Sequence, residues 1–136
     1  MRAKDKIREI ERFLNELKDI LPASFEEYKE NLEKKAACER YLEKIVEAVI
    51  DLAFLVIKSK KLKIPEDDVD ALNILLNTKI INEKLAKRLK NAKGMRNIIA
   101  HQYGKVEDDV VFDAITKELA RDADLFIKSV KKLIPQ

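Results

Sequence analysis

The sequence predicts an all-α fold, an up-and-down bundle of about five helices with one of them long. Three observations carry this. The chain of 136 residues contains only two Gly and three Pro, too few for the many tight turns of a β-sandwich or barrel. Its 46% apolar and 39% charged residues exclude a disordered polymer and fit surface helices around a core. Apolar residues recur at spacings of three and four, the period of a helix with one buried face. The length suits one domain spanning residues 1–136.

The first helix is marked by Ile7, Ile10, Leu14, Leu17 and Leu21 and stops near Pro22. Ser24 followed by Glu27 reads as a capping box that starts the next helix. From Phe25 onward, Tyr28, Leu32, Leu42, Val46, Val49, Ala53 and Val56 keep helical spacing without Gly or Pro until Pro65. One long helix is therefore expected from about residue 25 to 59, roughly 50 Å at the standard rise. Its second half, IVEAVIDLAFLVI, is apolar on nearly every side, whereas a bundle helix should keep one wet face. Core packing within the chain can cover part of the surplus, and a second copy of the chain is the expected cover for the rest, so the bundle is expected to dimerise. After KSKKLKIPEDD, whose Pro65 and acids suit a first helical turn, a short helix should occupy about Val69 to Leu76. Ile81, Leu85, Leu89, Ala92 and Ile99 define the next, interrupted by Gly94 and ending near Gly104. The last begins near Asp108 or Asp109 and buries Phe112, Ile115, Leu119, Phe126 and Val130.

The formal charge is only +3, so any anion-binding site must be local. A lone cysteine, Cys38, and a lone histidine offer no ligand set for zinc, and neither metal nor cofactor is expected. The N-terminal MRAKDKIREIERF lacks a signal-peptide core and no run approaches 18 apolar residues, so a cytoplasmic protein with no membrane partner is expected.

The segment RNIIAHQYG, residues 96 to 104, holds that histidine. On an ideal helix Arg96 falls within about 40° of the Leu85, Leu89, Ala92 and Ile99 stripe. A guanidinium there needs a carboxylate, a phosphate or a wet cleft, or else its stem lies along the surface with its head in water. His101 is turned about 140° from Arg96, toward the polar side, where an ordinary C-terminal capping contact is the plain alternative to a functional role. The two converge on one substrate only if the helix end distorts or two subunits meet. Tyr103 returns to the Arg96 side if the last turn stays helical. Glu47 and Asp51, on the polar edge of the long helix, are either orienters of Arg96 or His101 or surface acids.

Arg96, Asn97, His101, Gln102 and Tyr103 form the string Arg-Asn-x-x-x-His-x-Tyr, which resembles the signature of the HEPN superfamily, specifically its HepT-like toxins. VIDLAFLVIKSKKLKIPEDD also resembles that family's long-helix segment and its Pro-containing connection, and the likeness covers most of the chain, most closely residues 36 to 130. The resemblance implies an all-α homodimer with two motifs facing across the interface and a metal-independent endoribonuclease. Arg96 and His101 would be catalytic, with Asn97 and Tyr103 positioning substrate. It further implies a partner, a minimal nucleotidyltransferase antitoxin that transfers AMP onto Tyr103.

These side chains suit the chemistry. Metal-free RNA cleavage needs proton transfer at the attacking 2′-hydroxyl and neutralisation of charge gathering on phosphorus. Histidine titrates near neutral pH, and the planar guanidinium can hold two phosphate oxygens. Each chain owns one histidine, and a two-fold pair would supply the second. Lys90 and Lys93 precede the motif as possible RNA-backbone contacts, or as part of a solvated face. Tyr103 could stack on a base or simply pack at the helix end. The competing class is a non-catalytic helical module that helps a nucleotidyltransferase bind its nucleotide or substrate.

Overall fold

A computed structural model describes residues 2–101 and 107–134. Helix α1 spans Ala3–Ile20, α2 Phe25–Glu30, α3 Leu32–Ser59, α4 Asp68–Asn77 and α5 Glu83–His101. Helix α6, Asp108–Asp113, passes through a π turn, Ala114–Glu118, into α7, Leu119–Lys131. No strand occurs among the described residues, and no described helix is long and apolar enough to cross a membrane. Tyr103, Gln102 and Gly104 lie outside the described residues.

The expected capping box forms. Ser24 Oγ accepts from the Glu27 amide at 3.2 Å, and Glu27 Oε2 accepts from the Ala23 amide at 2.8 Å. The single long helix expected from residue 25 does not form. It breaks at Asn31, which is extended (φ −92°, ψ 95°) and serves both pieces: its amide donates to the Glu27 carbonyl, and its Oδ1 accepts from the Lys34 amide at 3.0 Å. An asparagine breaks a helix without Gly or Pro because its side chain replaces the lost backbone partner. The remaining α3, 28 residues, is roughly 42 Å long.

Helix α4 starts later than Pro65. Asp67 Oδ1 caps it, accepting from the Asp70 amide at 2.7 Å, so Pro65 stands in the preceding connection. Asn82 caps α5 through the Leu85 amide at 2.8 Å. Helix α5 runs on through Gly94, where an added Cβ would meet nothing within 4 Å. Both α3 and α4 close with the same turn, in which a lysine takes the left-handed conformation usually given to glycine, Lys61 at φ 55° and Lys79 at φ 63°. In the first, Leu62 and Lys61 amides donate to the Ile57 and Lys58 carbonyls; in the second, Ile80 and Lys79 amides donate to Leu75 and Leu76. The last helix begins at Asp108 as expected, but the π turn within it is not visible in apolar spacing.

Helix α3 is the axis of the bundle, and α1, α2, α4, α5 and α7 all pack on it. Its apolar second half is covered mainly by these neighbours. Ile45, Val46, Val49, Ile50, Leu52, Ala53, Val56 and Ile57 are all buried within one chain, and only Phe54 and Leu55 remain half-exposed. Most of the apolar surplus is therefore core of the same chain, which leaves Phe54 and Leu55 as its partly uncovered remainder. On α1 the buried stripe is Ile7, Ile10, Phe13 and Leu17, with Leu14 at its edge.

Candidate functional site

Helices α3, α4 and α5 bound a cleft of about 210 Å³ whose polar lining is Glu47 and Asp51 from α3, Asp68 from α4, and Lys93 and Arg96 from α5. Arg96 enters it from the apolar stripe of α5, where its side chain is 23% exposed. The required counter-charge is Glu47: Arg96 Nη2 donates to Glu47 Oε1. Nη1 donates to Asn97 Oδ1 at 3.1 Å, while Nε is buried with no hydrogen-bond partner among the described residues. The guanidinium plane is therefore fixed by one carboxylate and one amide side chain. An Arg held this way has lost most of the rotamer freedom that binding an anion would otherwise cost.

Of the two acids on the edge of α3, Glu47 alone reaches Arg96. Asp51 Oδ2 lies 3.5 Å from Lys6 Nζ on α1, and that lysine, 8% exposed, also meets Glu9 at 3.1 Å. The two expected phosphate contacts are engaged with α4. Lys93 Nζ sits 3.6 Å from Asp68 Oδ2, and Lys90 Nζ donates to Asn73 Oδ1. His101 is the last residue of α5 and exposed. Because α5 stays helical from Arg96 to His101, the two side chains leave the helix about 140° apart.

Among the described residues, no three His, Cys, Asp or Glu side chains are placed to hold a metal ion. One buried ionic cluster escaped the sequence reading. Asp122 on α7, 6% exposed, meets Arg88 of α5 at 3.6 Å and Arg121 at 3.0 and 3.3 Å. It occupies the Leu119, Ala123, Phe126 stripe as Arg96 occupies its own, so the same search for a charge on an apolar stripe finds it.

An all-α bundle carrying Arg-Asn-x-x-x-His on the helix packed against its central axis defines a HEPN-type helical protein. The chain belongs to the ribonuclease HepT-like family, whose profile matches residues 8–130. Relatives include the mRNA nuclease HepT of Shewanella oneidensis, 31% identical over 90 residues, which are 66% of this chain and 67% of that protein. The tRNA nuclease HepT of Aphanizomenon flos-aquae is 26% identical over 125 residues, 92% of this chain and 84% of that one. Among solved structures, the tri-AMPylated Shewanella oneidensis HEPN toxin in complex with MNT antitoxin superposes with a TM-score of 0.89 at 25% identity, covering 96% of each chain.

Proposed function

We propose that this chain is a metal-independent endoribonuclease toxin, one domain over residues 1–136, that cleaves RNA with Arg96 and His101 at a homodimer interface. The observation that carries the reading is the guanidinium of Arg96, set into an apolar stripe and oriented by Glu47, on a chain of the HepT-like family. In the reaction the 2′-hydroxyl loses its proton and attacks the adjacent phosphorus. The bond to the 5′-oxygen breaks, and that oxygen takes up a proton, leaving a cyclic phosphate and a free 5′-hydroxyl. Arg96 holds the non-bridging oxygens as charge gathers there. His101 transfers the proton. The 140° divergence of the two groups within α5 is what makes the second copy necessary: across a two-fold axis, His101 of one chain meets the phosphate held by Arg96 of the other. Asn97 holds Arg96 and positions substrate; Lys90 and Lys93 reach the backbone by exchanging Asn73 and Asp68 for phosphate oxygens.

The solved relative is a toxin bound to an MNT antitoxin and AMPylated, which supports control by a cognate minimal nucleotidyltransferase. The Tyr103 hydroxyl would attack the α-phosphorus of ATP and release pyrophosphate, placing a bulky anion beside the phosphate site and excluding RNA by volume and charge. The test is RNA incubated with purified protein in chelator. Cleavage that survives chelator, and is lost in His101→Ala and Arg96→Ala while the dimer remains folded, is the expected result. Undiminished cleavage by either variant removes the catalytic assignment, and nucleotide or partner binding by a chain that never cleaves establishes the non-catalytic module instead.

A further inference from the structure

The end of α3 carries a second feature that the catalytic reading does not use. Lys58, Lys60, Lys61 and Lys63 are all exposed. None of the four forms an ion pair among the described residues; the lysine pairs go to Lys6, Lys34, Lys35, Lys93, Lys117 and Lys131. They are displayed on a fixed turn, since Lys61 is held at φ 55° by the amide bonds of residues 61 and 62 back onto the α3 terminus. Beside the turn lies a mostly apolar groove of about 630 Å³, lined by Phe54, Leu55, Lys58, Leu62 and Ile64, with Ile64 85% exposed. This groove and the Arg96 cleft share Asp51 and Phe54 as walls, so they adjoin along α3. From Glu47 to Lys58 the ridge runs roughly 16 Å, longer than a single nucleotide. Of the neighbouring acids, Asp51 pairs with Lys6 and Asp68 with Lys93, Asp67 and Asp70 accept backbone amides at the start of α4, and Glu66 remains exposed.

The geometry points to this groove and its lysine turn as a binding track for single-stranded RNA leading out of the Arg96 cleft. The inference rests on the ribonuclease reading and extends it to the substrate. Unpaired ammonium groups face the phosphates, and the Phe54 and Ile64 wall receives unstacked bases, the combination by which proteins hold single strands without reading sequence. A duplex would not present its bases to such a wall. Lys90 and Lys93 of α5 are engaged with α4, and Lys44 of α3 lies over the Phe13 and Tyr41 rings, whereas the lysines of the turn form no ion pair among the described residues.

The test uses the full chain and a fluorescein-labelled single-stranded RNA with 2′-O-methyl groups, which cannot be cleaved. Replacing Lys58, Lys60, Lys61 and Lys63 together by Gln should weaken binding at least tenfold at low salt. It should also flatten the plot of log affinity against log salt by about 0.7 for each phosphate that the variant no longer neutralises. Ile64→Glu, at a site too exposed to unfold the chain, should weaken binding in the same direction. Cleavage of a dinucleotide, too short to reach the turn, should match wild type in both variants. Unchanged affinity and salt slope with His101-dependent cleavage intact overturns the track and leaves the ribonuclease reading standing. Lysine-dependent binding by a wild-type chain that never cleaves does the reverse. Unchanged RNA affinity with weakened capture of the nucleotidyltransferase overturns the track in favour of a protein-docking surface.

Discussion

Glu47 on the central helix grips the guanidinium of Arg96 on α5, so the two partners of one ion pair lie 49 residues apart in sequence. Glu47 is 43% exposed, and a pair that open to water adds at most about 1 kcal/mol to stability. Its importance is therefore orientation. Glu47→Gln should leave the urea midpoint nearly unchanged while lowering kcat for RNA by about tenfold, equivalent to about 1.4 kcal/mol of lost transition-state positioning. Asp51→Asn, at the acid that pairs with Lys6 instead, should leave kcat within about twofold of wild type. Equal losses in the two variants would show that the cleft senses charge and not the Arg96 contact.

Asp122 should behave in the opposite way. It is buried between Arg88 and Arg121, and removing it leaves Arg88, 28% exposed, without its carboxylate. Asp122→Ala should cost about 2–4 kcal/mol, somewhat below the roughly 3–5 kcal/mol for breaking a fully buried pair, because Arg88 and Arg121 keep contact with water. The urea midpoint would fall while the catalytic constants of the folded fraction stay unchanged.

Glu39 gives the protein an acid-side signature. Burial pushes its carboxyl above the ordinary value, Lys35 opposes that, and Asp108 and Glu43 reinforce it. The folded chain thus holds the proton more tightly than the unfolded chain, so the stability Glu39 contributes is present at low pH and lost as pH rises through its raised value. At neutral pH the ionised group is a burden. Glu39→Gln should raise the urea midpoint at neutral pH, with the advantage over wild type closing as pH falls below the ordinary glutamate range. Glu27 runs the other way: its hydrogen bond with Lys34 and the Ala23 amide hold it below the ordinary value, so its contribution is lost on acidification. Titrating Glu39→Gln and wild type side by side isolates the first effect.

Tyr28 is fully buried, and its hydroxyl has no hydrogen-bond partner among the described residues. Burial also pushes the phenol well above its ordinary range, with Glu39, Asp108 and Cys38 adding to the effect. The ring supplies the packing, against Phe112 at 5.6 Å between centroids. Tyr28→Phe should therefore be neutral or stabilising by about 1 kcal/mol, since it deletes an unsatisfied polar atom and keeps the ring. A clear loss of stability would mean that the hydroxyl is satisfied by a bound water.

Local patterning carried much of the architecture. Apolar spacing located α1, α4, α5 and the start at Asp108, and Ser24 with Glu27 marked the start of α2, because each is a short-range property of a helix and its first turn. The same spacing put Arg96 on a buried stripe and so required a counter-charge. It missed the break at Asn31, where a side-chain amide stands in for backbone partners, and the π turn at Ala114–Glu118. Three matters lay beyond it altogether: that Glu47 and not Asp51 answers Arg96, that Lys90 and Lys93 turn to α4, and how much of the apolar half of α3 its own chain covers. Periodicity fixes the direction in which a side chain leaves its own helix. The crossing of one helix over another decides what it meets there, and that crossing is set by the packing of the whole core.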